Sequence, residues 1–235
     1  MKQLKDFFAN KNVSTILDTG TGTGDFIEVL KEVFPEAKIT GIDPNTESLI
    51  EAAKIFTEII FTEMSAEKLE FEDNSFDLAS ISMALHHLPD IQKALKEMQR
   101  VVKPGGWIIV NELFSDNLNP AEEVHKMLHH FRSKIDRLTG VSHNETFKKD
   151  EIREIVQASG IDIQFEFENH LKPVSLAESN EFENRLEKMK QHLEKIKGRP
   201  EYDIFKPQIE EFRQAASKHG FQSPPRIVII GKCAK

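Results

Sequence analysis

The feature that most constrains this chain is a glycine-rich segment that directly follows a short apolar stretch. Residues 13–17 are apolar or β-branched, as expected of a buried strand, and residues 18–25 then read DTGTGTGD. Glycines at alternate positions let the backbone turn sharply and let a ligand approach main-chain atoms, because no Cβ intervenes. The pattern predicts a strand-to-helix turn that binds a nucleotide-like ligand, and a turn without a ligand is the simpler alternative.

Short apolar strands alternate with amphipathic helices through the first 112 residues. Strands are predicted at 13–17, 38–42, 58–61, 76–81 and 107–110, and again at 161–165 and 226–230. Helical patterns lie between them, with Pro35 ending one helix and Asp90 opening another as an N-cap. This alternation predicts an α/β fold with a doubly wound, mostly parallel sheet.

The pattern changes after residue 112, where the chain divides into a core and insertions. The predicted segments are a ligand-binding core at 1–112, a helical cap segment at 113–147, completion of the core sheet at 148–168 and 224–235, and a helical hairpin at 169–223. Asn119 followed by Pro120 has the order of an N-cap and a first helical residue, which predicts where the cap helix begins.

The hairpin at 169–223 carries apolar residues at alternating spacings of four and three, as two amphipathic helices do. Ser175 and Glu178 have the spacing of a capping box, and a Gly/Pro turn at 198–200 separates the helices. A lid over a ligand pocket, a solvated cover and a surface for homodimerisation are alternatives that the pattern leaves open.

Charge and hydropathy exclude several classes of function. Asp and Glu total 39 against 31 Lys and Arg, giving a net charge of −8, which is the opposite of a nucleic-acid-binding balance. No apolar run approaches the length of a membrane span. The first six residues, MKQLKD, include three charged residues and do not begin an apolar signal core, so a cytoplasmic location is expected.

Neither a disulfide framework nor a metal site is predicted. Cys233 is the single cysteine, so no intrachain disulfide is available. His125, His129 and His130 share a predicted helix, and histidines at i and i+4 lie on one face. Because no carboxylate or third ligand is apparent nearby, we interpret them as the polar edge of that helix.

The glycine-rich loop also limits the kind of ligand. A dinucleotide fingerprint requires glycine where this chain has Asp25, and a P-loop requires a lysine that the loop lacks. Asp18 and Asp25 flank the loop, so a phosphate-free nucleoside with a positive charge is predicted. Asp43, after the second strand, is placed to accept both ribose hydroxyls, or alternatively to cap the helix from Thr46.

Four motifs in order resemble the class I S-adenosylmethionine-dependent methyltransferases. LDTGTGTG at 17–24 resembles their first motif, FEDNSFDL at 71–78 the approach to strand four, LHHL at 85–88 its exit, and RVVKPGGW at 100–107 the turn into strand five. The resemblance covers about residues 13 to 112. It points to the small-molecule branch that includes ubiquinone and menaquinone methyltransferases, and it implies a seven-stranded Rossmann-like sheet.

The resemblance implies S-adenosyl-L-methionine as cofactor and S-adenosyl-L-homocysteine as product. Carried over position by position, the residues implied to bind it are Asp18, Thr19, Gly20, Gly22, Gly24, Asp43, Pro44, Ser65, Ala66 and Ser82. Ser65 stands where the family commonly has an aspartate for the adenine amino group, so this chain departs from the family pattern there.

An in-line methyl transfer to a hydroxyl or a carbon acid also needs a base. His86 and His87 follow strand four and Glu112 follows strand five, so these three are the catalytic candidates. A His87 that only packs or caps, and a solvated Glu112, are the plain alternatives. We therefore predict a methyltransferase acting on oxygen, carbon or nitrogen of a small molecule, with a non-catalytic cofactor-binding or interaction module as the alternative.

Overall fold

The computed structural model describes residues 1–170 and 181–233. The predicted capping box at Ser175 and Glu178 lies outside the described residues. The chain divides into two compact units. The sheet unit comprises Met1–Glu112, Asp150–Asn169 and Ile227–Lys235, and the helical unit comprises Leu113–Lys149 and His170–Arg226.

The sheet unit is built on strands that the hydropathy pattern largely predicts. They are β1 Thr15–Thr19, β2 Lys38–Asp43, β3 Ile60–Glu63, β4 Phe76–Ser82, β5 Val102–Leu113, β6 Asp162–Asn169 and β7 Arg226–Lys232. Within the described residues they form one seven-stranded sheet of order β3-β2-β1-β4-β5-β7-β6. β1 pairs in parallel with β2 and β4, β2 with β3, and β4 with β5. The predicted doubly wound, mostly parallel sheet is confirmed.

Eight α-helices complete the described chain. They are α1 Lys2–Phe8, α2 Asp25–Val33, α3 Thr46–Ile55, α4 Ile91–Val101, α5 Pro120–Leu138, α6 Lys149–Ala158, α7 Glu181–Glu194 and α8 Glu201–His219. The Asp90 side chain accepts a hydrogen bond from the Lys93 amide, so it caps α4 as predicted. Helix α1 was not predicted, and it buries Leu4 and Phe8 in the core of the sheet unit.

The register of the parallel strands brings their polar ends to one edge of the sheet. Asp18 of β1 pairs with Ser80 of β4, and Ser82 of β4 pairs with Asn111 of β5. Parallel strands present their carboxyl ends at a common edge, which is where ligands bind in folds of this type. The apolar middles of the strands, such as Ile16 and Leu78, are buried beneath the helices.

The helical unit has its own apolar core, formed by α5, α7 and α8. Its buried members are Val124, Leu128, Phe131, Ile135, Leu186, Met189, Leu193, Ile196, Phe205, Phe212, Ala216 and Phe221. The Asn119 side chain accepts hydrogen bonds from the Ala121 and Glu122 amides, and the Glu122 carboxylate accepts one from the Asn119 amide. These contacts form a capping box, and α5 begins where the sequence predicts. No helix among the described residues is long and apolar enough to cross a membrane.

Phe212→Ala is expected to lower the free energy of unfolding by about 3–5 kcal/mol, because a fully buried ring leaves a cavity. Ile204 lies on the same helix with 65% of its surface exposed, so Ile204→Ala is the matched control and should cost less than about 0.5 kcal/mol. Urea unfolding followed by far-UV circular dichroism measures both. Equal losses would mean that α8 does not pack through Phe212.

Candidate active site

The glycine-rich loop joins β1 to α2 as predicted. Gly20, Gly22 and Gly24 have φ angles of +66°, +53° and +92°, in the region that only glycine adopts without strain. A Cβ on Gly20 would lie 2.6 Å from Ala84, and one on Gly24 would lie 2.5 Å from the Phe56 ring. A Cβ on Gly22 would meet no described atom within 4 Å. Packing therefore requires the outer two glycines, whereas Gly22 borders open space that a ligand can enter.

Asp43 holds this loop against the end of β2. Its Oδ2 accepts a hydrogen bond from the Gly22 amide at 2.9 Å, and its Oδ1 accepts one from the Asn45 amide at 2.8 Å. The alternative role as helix cap is wrong, because the Asn45 side chain caps α3 by accepting from the Ser48 amide. Each carboxylate oxygen has two lone pairs, so the loop contact leaves acceptor capacity for a ribose hydroxyl.

Asp18 is a buried carboxyl group at the end of β1, with 1% of its surface exposed. Its Oδ1 accepts from the Ser80 hydroxyl and its Oδ2 from the Thr21 hydroxyl, both at 2.7 Å. Burial raises the pKa of Asp18 to about 6, against the effect of these two hydrogen bonds, and the charge of Asp43 raises it further. Asp25, which flanks the loop in the sequence, is exposed, and Asp43 is the carboxylate whose charge raises the pKa of Asp18.

The other predicted cofactor residues lie at or just beyond the ends of β1 to β4. Thr19 ends β1, Pro44 follows β2, Ser65 and Ala66 follow β3, and Ser82 ends β4. Ser65 is exposed, and its hydroxyl donates to the Glu67 carboxylate. Because Ser65 donates to its neighbour, its hydroxyl is a weaker candidate for an adenine contact than the sequence suggests.

Two buried polar atoms at this edge have no hydrogen-bond partner within the described chain, namely Thr19 Oγ1 and Asn111 Oδ1. Asn111 is fully buried, and its Nδ2 donates to the Ser82 hydroxyl at 2.8 Å. A buried polar group without a partner is costly, so a ligand or water is expected to satisfy each of them. Asn111 is not among the residues predicted from the sequence, although an amide directly after the apolar residues 108–110 is a usable signal.

His86 and Glu112 form a buried pair, with Nδ1 and Oε1 2.9 Å apart. Glu112 is fully buried within β5, so the alternative of a solvated loop carboxylate is wrong. His86 lies in a single 3-10 turn, Leu85–His87, that follows β4. With Nδ1–H donating to the carboxylate, Nε2 of the neutral ring is the atom that accepts a proton.

His87 differs from its neighbour in burial. It is exposed, whereas His86 is 4% exposed, and the two ring centroids lie 4.3 Å apart. The structure therefore brings His86 and Glu112 together as an oriented imidazole, and it leaves His87 beside them on the surface. An imidazole held by a carboxylate has a fixed direction, which suits a general base.

Asp18→Asn is expected to raise the free energy of unfolding at pH 8 by an amount on the order of 3 kcal/mol, with no gain at pH 4. The pKa of Asp18 is about 6 in the folded protein and lower in the unfolded chain. The loss of folding stability caused by ionised Asp18 is therefore small below pH 4, grows between pH 4 and pH 6, and is complete above that range. Urea unfolding across this range tests the stability, and ¹³C carboxyl NMR tests the pKa. An Asp18 signal that titrates near an ordinary aspartate would contradict this account.

Part of the chain matches a known family and a set of curated relatives. The family described as "Methyltransferase domain" matches residues 17–110. Demethylmenaquinone methyltransferase of Chlorobaculum tepidum is 35% identical over 137 residues, which cover 57% of this chain and 54% of that protein. The chain thus spans about half the length of the curated relatives that it matches.

Solved structures share the whole architecture at low identity. The YcgJ protein of Bacillus subtilis superposes with a TM-score of 0.64 over 100% of this chain and 99% of its own, at 19% identity. The cyclase SpnF gives a TM-score of 0.59 over 99% of this chain and 80% of its own, also at 19% identity. These likenesses show the fold. Residues 17–110 thus match the methyltransferase-domain family, and the chain is similar there to demethylmenaquinone methyltransferases.

Proposed function

We propose that this protein is a methyltransferase that transfers the methyl group of S-adenosylmethionine to a small-molecule acceptor. The observation that carries the proposal is the carboxyl edge of β1, β4 and β5. There an open space beside Gly22 and an oriented imidazole, His86, occur in one sheet unit.

The residues at this edge fit the cofactor. Asp43 keeps acceptor capacity for the ribose hydroxyls, and the space beside Gly22 admits the ligand against the main chain. Asp18, Thr19 and Asn111 supply oxygen atoms for the ammonium group of the methionine part. When bound, S-adenosylmethionine supplies a methyl group on a positively charged sulfur, and a nearby carboxylate favours that charge.

His86 is the proposed general base, and Glu112 is its positioning residue. Glu112 accepts the Nδ1 proton, so His86 Nε2 takes the proton that the acceptor loses as its bond to the methyl group forms. The rest of the chain's contribution is alignment, since an in-line displacement is accelerated mainly by holding the reacting atoms at the right distance and angle.

The presence of an oriented base favours an acceptor that must lose a proton. A phenolic hydroxyl or an acidic C–H position requires such a base, whereas a neutral amine can attack without one. The relative from Chlorobaculum tepidum is named for a quinone-type acceptor, which agrees with this class. We therefore propose hydroxylated aromatic or carbon-acid acceptors over amines.

The test is turnover of S-adenosylmethionine to S-adenosylhomocysteine with matched panels of phenols, quinols and amines. Calorimetry with S-adenosylmethionine alone measures binding separately. Binding together with turnover on a phenol or quinol supports the proposal. Binding without turnover on any panel would favour the non-catalytic module, and turnover on amines alone would contradict the acceptor class.

Gly22→Ala is expected to weaken S-adenosylmethionine binding at least about tenfold, because the new Cβ enters the ligand space. Gly105→Ala is the matched control, since Gly105 has a φ of +74° and its Cβ would also meet no described atom within 4 Å. Both changes carry a similar backbone strain of about 1–2 kcal/mol. Equal affinities of the two variants, by calorimetry, would show that the ligand does not approach Gly22.

His86→Gln is expected to lower kcat by about 10²–10⁴-fold, with little change in the KM for S-adenosylmethionine, because it removes the base and not the cofactor contacts. Glu112→Gln is expected to lower kcat by a smaller factor than His86→Gln, since it weakens the contact that orients the His86 ring and leaves the base in place. His87→Gln is the comparison variant on the exposed neighbour. A loss of kcat in His87→Gln equal to that in His86→Gln would contradict the assignment.

A further inference from the structure

We infer that the helical unit contains a binding site for a divalent transition-metal ion, with the Nε2 atoms of His129 and His143 as its protein ligands. His129 lies on α5, and His143 lies in the segment that follows α5. Their Nε2 atoms are 3.3 Å apart. Nothing in the proposed methyl transfer uses these two side chains.

The distance between the two nitrogens is the first argument. Two imidazole nitrogens bound to one tetrahedral ion at about 2.0–2.1 Å are separated by about 3.3–3.4 Å. The ring planes of His129 and His143 are 87° apart, with centroids at 4.8 Å. The two rings thus converge through their nitrogens instead of stacking, so an ion can be bound with little movement of either side chain.

The support behind His143 is the second argument. Its Nδ1 lies 2.7 Å from Asp136 Oδ2, and the His143 side chain is 4% exposed. A carboxylate on Nδ1 leaves the lone pair of Nε2 directed at the site, which is the arrangement found behind most metal-binding histidines. Asp136 is itself held in place, because its Oδ1 lies 2.8 Å from His192 Nε2 and 3.8 Å from Lys195 Nζ.

The sequence interpretation of the α5 histidines changes accordingly. From the sequence alone, His129 is interpreted as part of a polar helix edge, because no carboxylate or further ligand is apparent nearby. The structure supplies Asp136, two turns further along α5, and His143 from the following segment. His130 points to a different environment, with Nδ1 3.1 Å from Glu145 and Nε2 2.8 Å from the Thr146 hydroxyl.

The donor set determines the class of ion. Imidazole nitrogen is a borderline ligand that binds Zn²⁺, Co²⁺ and Ni²⁺, whereas Mg²⁺ and Ca²⁺ prefer oxygen. Two protein nitrogens leave further coordination positions for water or an oxygen atom of a small ligand. The competing explanation is a simple N–H···N hydrogen bond from His129 to His143, which would give the same separation without an ion.

The experiment is a Co²⁺ titration of the untagged full chain after treatment with a chelator, followed by visible absorption. One equivalent of Co²⁺ is expected to bind. His129→Gln and His143→Gln are each expected to weaken binding more than about a hundredfold, and Asp136→Asn about ten- to a hundredfold, as outer-shell changes do. His130→Gln, on the next position of the same helix, is the control and is expected to retain full affinity.

A second measurement needs no variant, so it remains decisive if a variant fails to fold. Imidazole ¹⁵N spectra of the wild-type protein are recorded as Zn²⁺ is added. Shifts of the Nε2 signals of His129 and His143, with the exposed His219 unchanged, support the site. Absence of stoichiometric Co²⁺ binding, unchanged affinity in both ligand variants, or Zn²⁺ shifts confined to other histidines would overturn it.

Discussion

The carboxyl edge of the sheet depends on the two hydrogen bonds that the buried Asp18 carboxyl group accepts. A carboxyl group removed from water must be hydrogen-bonded, and its partners are Ser80 on the neighbouring strand and Thr21 in the loop. One group therefore ties β1 to β4 and closes the glycine-rich turn at the same time. Burial raises the pKa of Asp18, so the ionised carboxylate lowers the stability of the folded protein at neutral pH. The position of Asp18 is therefore not explained by stability alone.

Asp43 adds a second attachment, so the loop is fixed from two strands before any ligand arrives. The Gly22 amide donates to Asp43, while Thr21 donates to Asp18. A loop held in this way loses little conformational entropy when a ligand binds, and more of the interaction energy appears as affinity. The left-handed glycines make that geometry possible. Ala84 and Phe56 pack so closely against Gly20 and Gly24 that neither position has room for a side chain.

The sequence predicted elements well and pairings poorly, for a physical reason. Local hydropathy and turn residues determine where β1, its loop and α2 begin and end, so those were predictable. His86 and Glu112 were correctly placed at neighbouring strand ends, but their contact depends on the register of β4 and β5, which contains an irregularity near Phe76 and Leu78. The start of β5 was missed because residues 103–106 read Lys-Pro-Gly-Gly, a turn signal that sheet pairing overrides.

Carboxylates orient imidazoles in both units, and the pairs His86–Glu112 and His143–Asp136 show why residue type alone does not give function. His86 with Glu112 and His143 with Asp136 have the same Nδ1–carboxylate contact and similar burial. On the other side of the His143 ring, Nε2 lies 3.3 Å from the Nε2 of His129. A proton and a metal ion compete for the same lone pair, so a second imidazole nitrogen at this distance favours ion binding at His143.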